Sequence, residues 1–163
     1  MATLGVPKGG EMEKSIVVGV DGSEDAKAAL AVAEGLADRL GARLVLANVV
    51  EYAHSPNATL GPMGPGIGAP VPFGDAGEQV QAAEALLERI VEEADVEAET
   101  RVVAGLAGER LADLADQEDA AMVVVGSRGR GAFKAAFLGS VSTSLIGVAR
   151  RPVLVVPPGA REQ

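Results

Sequence analysis

Gly126, Gly129, Gly139 and Ser140 form the arrangement with the clearest chemical meaning in this chain: Gly126-Ser-Arg-Gly129, nine residues, then Gly139-Ser140. They follow a strand-like apolar run, Ala121 to Val125, and lead into an apolar, helix-like stretch that begins at Val141. A glycine-lined loop between a buried strand and a helix N-terminus is a place where backbone N–H groups converge on phosphate. Glycine suits such a loop because it reaches positive φ freely and has no Cβ to hold a ligand's oxygens away. The spacing therefore predicts a nucleotide site, with more to say about binding than about turnover.

Two other phosphate loops can be tested directly. A P-loop needs Gly-x4-Gly-Lys-Ser/Thr, in which the lysine meets the terminal phosphates and the hydroxyl holds magnesium. Gly126 and Gly131 have that glycine spacing, but Ala132 and Phe133 occupy the Lys and Ser/Thr positions. The dinucleotide pattern Gly-x-Gly-x-x-Gly starts at Gly129-Arg-Gly131 and fails at Lys134. Neither pattern fits. Catalytic groups are sparse too. The single histidine, His54, has no carboxylate partner at catalytic spacing, and Ser127, Ser140, Ser142 and Ser144 lack a nucleophile-elbow Gly-x-Ser-x-Gly. Asp21 alone is not a metal site. The chain reads as a binder, with slow nucleotide hydrolysis as its furthest reach toward enzymology.

The elements that must position this loop follow from periodicity. Ser15 to Val20 reads as a short buried strand ending at Asp21-Gly22-Ser23. Ser23 is an N-cap, with Glu24 and Asp25 supplying acid to the first turn. Ala26, Leu30, Ala33, Ala37 and Leu40 mark one helix face, and Gly41 stops it. Leu44 to Val50 is a second buried strand. Residues 53–77 hold five prolines and six glycines and predict a long loop, a candidate lid over the ligand. Helical periodicity returns from Val80 to Ala94, and Glu97 to Val103 alternates as an edge strand would. A shorter helix carries Leu106, Leu111, Leu114 and Ala115. Met122 to Val125 is a core strand, and Val141, Leu145, Ile146 and Ala149 mark the last helix. Val153 to Val156 is the final strand.

Alternation of this kind predicts an α/β fold of three layers, a doubly wound, Rossmann-like parallel sheet of five strands with four helices. In a strand order of 3-2-1-4-5, ligands bind where the order reverses, beyond the C-terminal ends of the first and fourth strands. Asp21 and Gly126 stand at those two ends. Two sequence features remote from each other thus point to one crevice. The expected domain spans 14–157, with a disordered or extended N-terminal tail at 1–13 and a C-terminal tail at 158–163.

Composition narrows the ligand. The net charge is −9 over 163 residues, so broad attraction to nucleic acid or an anionic membrane is excluded as a working reading. Arg128, Arg130 and Lys134 nevertheless cluster in the glycine-rich loop, which fits a small anionic ligand. There is no cysteine, hence no disulfide and no thiolate chemistry. No stretch approaches the ~20 apolar residues of a membrane helix, and the N-terminus has no signal-like apolar core. A cytoplasmic location is the expectation.

Three segments together resemble the universal stress protein family: Ile16-Val-Val-Gly-Val-Asp-Gly-Ser23, the Gly126-x2-Gly129-x9-Gly139-Ser140 pattern, and Arg151-Pro-Val-Leu-Val-Val156. The resemblance covers roughly residues 14–157. It implies ATP as ligand, with Mg2+ carried on its phosphates in one reading. Asp21 would lie near ribose and adenine, with Val20 and Val49 bracketing the base. Gly126 and Gly129 would let the chain approach the phosphates, with Arg128 beside them. Gly139, Ser140, Val141 and Ser142 would offer N–H and hydroxyl donors at the start of the last helix. Plainer readings stand beside these roles: Ser140 as a helix N-cap, Asp21 as a turn residue, Arg128 as a solvated charge. A regulatory, stress-response ATP binder is the leading expectation. A slow ATPase or phosphotransferase using Asp21 with a divalent ion, and a nucleotide-free dimeric interaction module, are the alternatives. The short apolar strand Val153–Val156 would be an unprotected edge in a monomer, and the resemblance implies a homodimer joined through it.

Overall fold

Strands β1 (Ser15–Gly19), β2 (Arg43–Val50), β3 (Ala98–Ala104), β4 (Met122–Gly126) and β5 (Val153–Val156) form one parallel sheet in the order β3-β2-β1-β4-β5 in a computed structural model describing residues 14–51, 76–129 and 138–160. Helices α1 (Glu24–Leu40), α2 (Ala76–Ala94), α3 (Ala107–Gln117) and α4 (Ser140–Val148) connect them. This is the expected architecture and strand order. The tail 1–13, residues 53–75 of the long loop with His54, and Arg130 and Lys134 lie outside the described residues.

The three layers come from the two-residue period of the strands. Ile16, Val18, Leu44, Leu46 and Val124 point to one face and pack against Leu30, Leu86, Leu87 and Ile90 of α1 and α2. Val17, Val45, Ala47, Val123 and Val125 point to the other and meet Leu111, Leu114, Ala115 and Leu145 of α3 and α4. Burial on both faces explains why β1, β2 and β4 read as continuous apolar runs. Ala160, just past β5, packs back on the first of these cores.

The helix ends place the loops. Asp21 Oδ1 accepts the Ser23 N–H at 2.9 Å, and Ser23 Oγ accepts the Ala26 N–H at 3.2 Å. Gly22 between them has φ 80°, which glycine adopts without strain. Gly41, at φ 60°, ends α1 as expected. Strand ends shift by a residue, and three helix starts differ from expectation. Helix α2 starts at Ala76, two residues inside the proposed loop. Leu106 is the N-cap of α3 and exposed, not part of its apolar face. Helix α4 begins at Ser140, with Gly139 as its N-cap, so Ser140 is the first helical residue and not the cap. Among the described residues, no helix is long and apolar enough to cross a membrane.

Candidate functional site

The sheet leaves a crevice where its order turns, because the chain leaves β1 toward α1 on one face and leaves β4 toward α4 on the other. At the β1 side, the Val20 N–H donates to Ala47 O at 2.9 Å and the Asn48 amide donates to Val20 O at 2.7 Å. These bonds fix the Val20-Asp21 step against β2. At the β4 side, the Ser127 N–H donates to Val156 O at 2.8 Å, tying the loop to β5.

The two halves of the glycine pattern are stitched together. The Gly139 N–H donates to Ser127 O at 2.7 Å, and the Ser142 hydroxyl donates to Gly126 O at 2.9 Å. These two bonds bring Gly126–Gly129 against the start of α4. The first three N–H groups of α4, on Ser140, Val141 and Ser142, have no acceptor within the helix, and Gly139 has no side chain to cap them. Such donors, with the helix dipole behind them, attract an anion.

The glycines have distinct physical reasons. A Cβ on Gly129 would lie 2.7 Å from Asp21 Oδ2. A Cβ on Gly126 would lie 2.7–2.8 Å from the backbone and Cβ of Asp25. Gly126 thus lets the loop close on α1, while Gly129 leaves room for a carboxylate in the crevice. A Cβ on Gly139 would meet Arg128 Cα and Ser127 O at 3.4 Å, a tight but tolerable approach.

The crevice is a cleft of about 1100 Å³, just above the usual range for ligand sites. Val20, Asp21, Val49, Gly126, Arg128, Gly129, Gly139, Ser140, Val141 and Ser142 all line it. One expectation about them is corrected. The Ser142 side chain is buried and its hydroxyl proton is committed to the loop carbonyls, so only its N–H can serve a ligand.

Several contributors escaped the sequence reading. Asn48 was the one polar residue inside an apolar strand, which is a usable signal. Glu51 also lines the cleft, and its Oε1 accepts the Ala107 N–H at 3.1 Å, capping α3 in place of Leu106. Gln79, Leu86 and Arg89 bring α2 to the cleft wall. Asp25 stands behind it, accepting the Ser127 hydroxyl at 3.0 Å and the Arg128 Nε–H at 3.4 Å.

Comparison with known proteins agrees with this architecture. A curated relative from Thermus aquaticus, named for its place in the QAH/OAS sulfhydrylase 3′ region, is a universal stress protein. It is 32% identical over 152 residues, covering 89% of this chain and 99% of its own. A solved universal stress protein in complex with cAMP superposes with a TM-score of 0.63 at 24% identity, over 90% of this chain and 98% of that one. The universal stress protein from Archaeoglobus fulgidus in complex with dAMP gives 0.59 at 22% identity, over 89% and 98%. The description of the universal stress protein family itself matches residues 12–157, a span that takes in every strand and helix of the described residues and the ten cleft residues expected from the sequence, and the chain belongs to that family.

Proposed function

We propose that the cleft binds an adenine nucleotide, with ATP as its ligand, and that the chain is a cytoplasmic stress-response regulator whose occupancy alters its conformation or partner binding. The observation that carries this reading is the convergence of the Asp21 turn and the Ser140 helix start on one cleft, with Gly129 between them. The base would lie between Val20 and Val49, the ribose beside Asp21, and the phosphates over Gly129 and the Ser140–Ser142 N–H groups. The dAMP and cAMP complexes of similarly folded relatives support the adenine part.

Magnesium would enter on the phosphates. No group of three or more His, Asp or Glu side chains suited to a metal occurs among the described residues, so the chain builds no cage of its own there. Asp21 is within the cleft wall and would help orient a phosphate-held ion. In this reading the protein acts as a homodimer through β5, one of the two edge strands of the sheet.

Isothermal titration of the purified, nucleotide-stripped protein with ATP and Mg2+ tests the reading. Saturable binding at one site per chain is the expected result. Absence of heat and of competition at millimolar ATP would sink it. Measuring ADP release over hours separates a regulator from a slow ATPase.

A further inference from the structure

Arg128 is held from behind. Its Nε donates to Oδ2 of Asp25 at 3.4 Å, and the same oxygen accepts the Ser127 hydroxyl at 3.0 Å. Asp25 is the second residue of α1, and its side chain is only 14% exposed. Arg128 lines the cleft, whereas Asp25 is not part of the cleft wall. That placement decides what Asp25 can do. A carboxylate facing the ligand would repel phosphate. One shielded behind an arginine acts by setting where the guanidinium goes.

The guanidinium is a rigid planar fork of five N–H donors. A contact through Nε to one shared oxygen leaves its terminal nitrogens out of that bond, unlike a bidentate pair. The anchor is itself firm. The backbone of Asp25 lies against Gly126 so closely that a Cβ there would be 2.7–2.8 Å away. A carboxylate in the first turn of α1 is also stabilised by the helix dipole. Loop and anchor are therefore packed directly on each other.

We propose that Asp25 is a positioning residue that orients Arg128 toward the outer phosphates of a nucleoside polyphosphate, so that the site separates triphosphate from monophosphate. This rests on the adenine-nucleotide reading of the cleft. The α4 N–H groups serve any phosphate, while Arg128 adds the contact that depends on how many phosphates the ligand carries.

Titrations of the full chain with ATP and with AMP, in the native protein and in Asp25→Asn, Arg128→Ala, Arg128→Lys, Ser127→Ala and the Asp25→Asn/Arg128→Ala pair, test it. Asp25→Asn and Arg128→Ala should each lower the ATP-to-AMP affinity ratio about tenfold, the loss typical of one charge-assisted contact, with the larger share of the loss on ATP. Arg128→Lys keeps the charge but not the fork, and should lose the ratio similarly. Ser127→Ala should keep it, and Asp25→Asn should add nothing once Arg128 is alanine.

Tighter ATP binding by Asp25→Asn would show a repulsive charge and overturn the proposal. So would a Ser127→Ala variant with the same loss, since loop shape would then be the cause. A preserved ratio in Arg128→Lys overturns it independently of how well Asp25→Asn folds. If the native protein binds neither nucleotide, the cleft reading falls along with it. If the native protein binds and Asp25→Asn matches it, only the role of Asp25 falls.

Discussion

Gly129 and Asp21 occupy the same few ångströms of the cleft: a Cβ on the glycine would stand 2.7 Å from Oδ2 of the aspartate. The atom in the way is the end of a side chain, so an alanine there displaces the carboxylate and leaves the backbone alone. Gly129→Ala should stay within about 0.5 kcal/mol of native stability, as exposed substitutions do, while nucleotide affinity drops at least about tenfold. Thermal melts paired with ATP titration check both halves. A variant that binds like the native protein would separate Asp21 from the ligand.

Gly126 should behave in the opposite way. The atoms its Cβ would meet are the backbone C and O and the Cβ of Asp25, fixed inside α1, and cannot swing aside. Overpacking of this kind costs about 1–3 kcal/mol, or roughly 3–10 °C in a domain of this size. Gly126→Ala is therefore expected to lower the melting temperature measurably, in contrast to Gly129→Ala. Equal stability of the two variants would contradict the contact.

Ser142 gives a third contrast. Its buried hydroxyl donates to Gly126 O, binding the start of α4 to the end of β4. Ser142→Ala leaves that carbonyl short of a partner, at a cost of about 1–3 kcal/mol. The helix N–H that faces the anion site is retained. Calorimetry should show lower stability with ATP affinity of the folded protein within about threefold of native. A large affinity loss at unchanged stability would restore the hydroxyl as a ligand contact.

The features legible in the sequence share one property: they are local. Ser15–Gly19, Arg43–Val50 and Met122–Gly126 are apolar on both faces, and the helices between them keep a clean period, so order and layers followed. The spacing of Gly126, Gly129 and Gly139 is likewise local and marked the cleft. Contacts made across the chain left no such trace. Asp25 reaches Ser127 over 102 positions, and Glu51 caps α3 over 56. Leu106 looked like a helix residue because its own type fits the apolar period, whereas the true boundary is set by Glu51. The direction of the Ser142 hydroxyl depends on where the loop carbonyls arrive, which no spacing records.

Strand β5 ends the sheet, with Val153, Leu154 and Val155 half-buried and no further strand beside them among the described residues. An uncovered apolar edge of this kind favours pairing with another chain, and a lysine on it opposes pairing. Light scattering on the native protein should give twice the single-chain mass. Val155→Lys should give the single-chain mass with helix content unchanged. A native monomer would remove β5 as the joining strand.

At the far end of the sheet, Arg43 Nη2 lies 2.6 Å from Glu118 Oε2, with Arg101 3.4 Å from the other oxygen and Glu99 bound to both arginines. The hydrogen bond from Arg43 is the main cause holding the Glu118 carboxyl below its ordinary value of 4.5, against a smaller opposing effect of burial. A carboxyl lowered in the folded state gives stability that is fully present above its unfolded value and is lost as pH falls through the folded one. The contribution should therefore be constant from neutrality down to about pH 5 and fade below pH 4.5. Glu118→Gln should lower the melting temperature at pH 7, and the gap between variant and native protein should close as the pH is taken toward 3. The Arg43 guanidinium, raised further by the same pair, stays charged throughout and adds no slope of its own. A gap that persists undiminished at pH 3 would mean that Glu118 acts through packing, and its charge would be irrelevant to the fold.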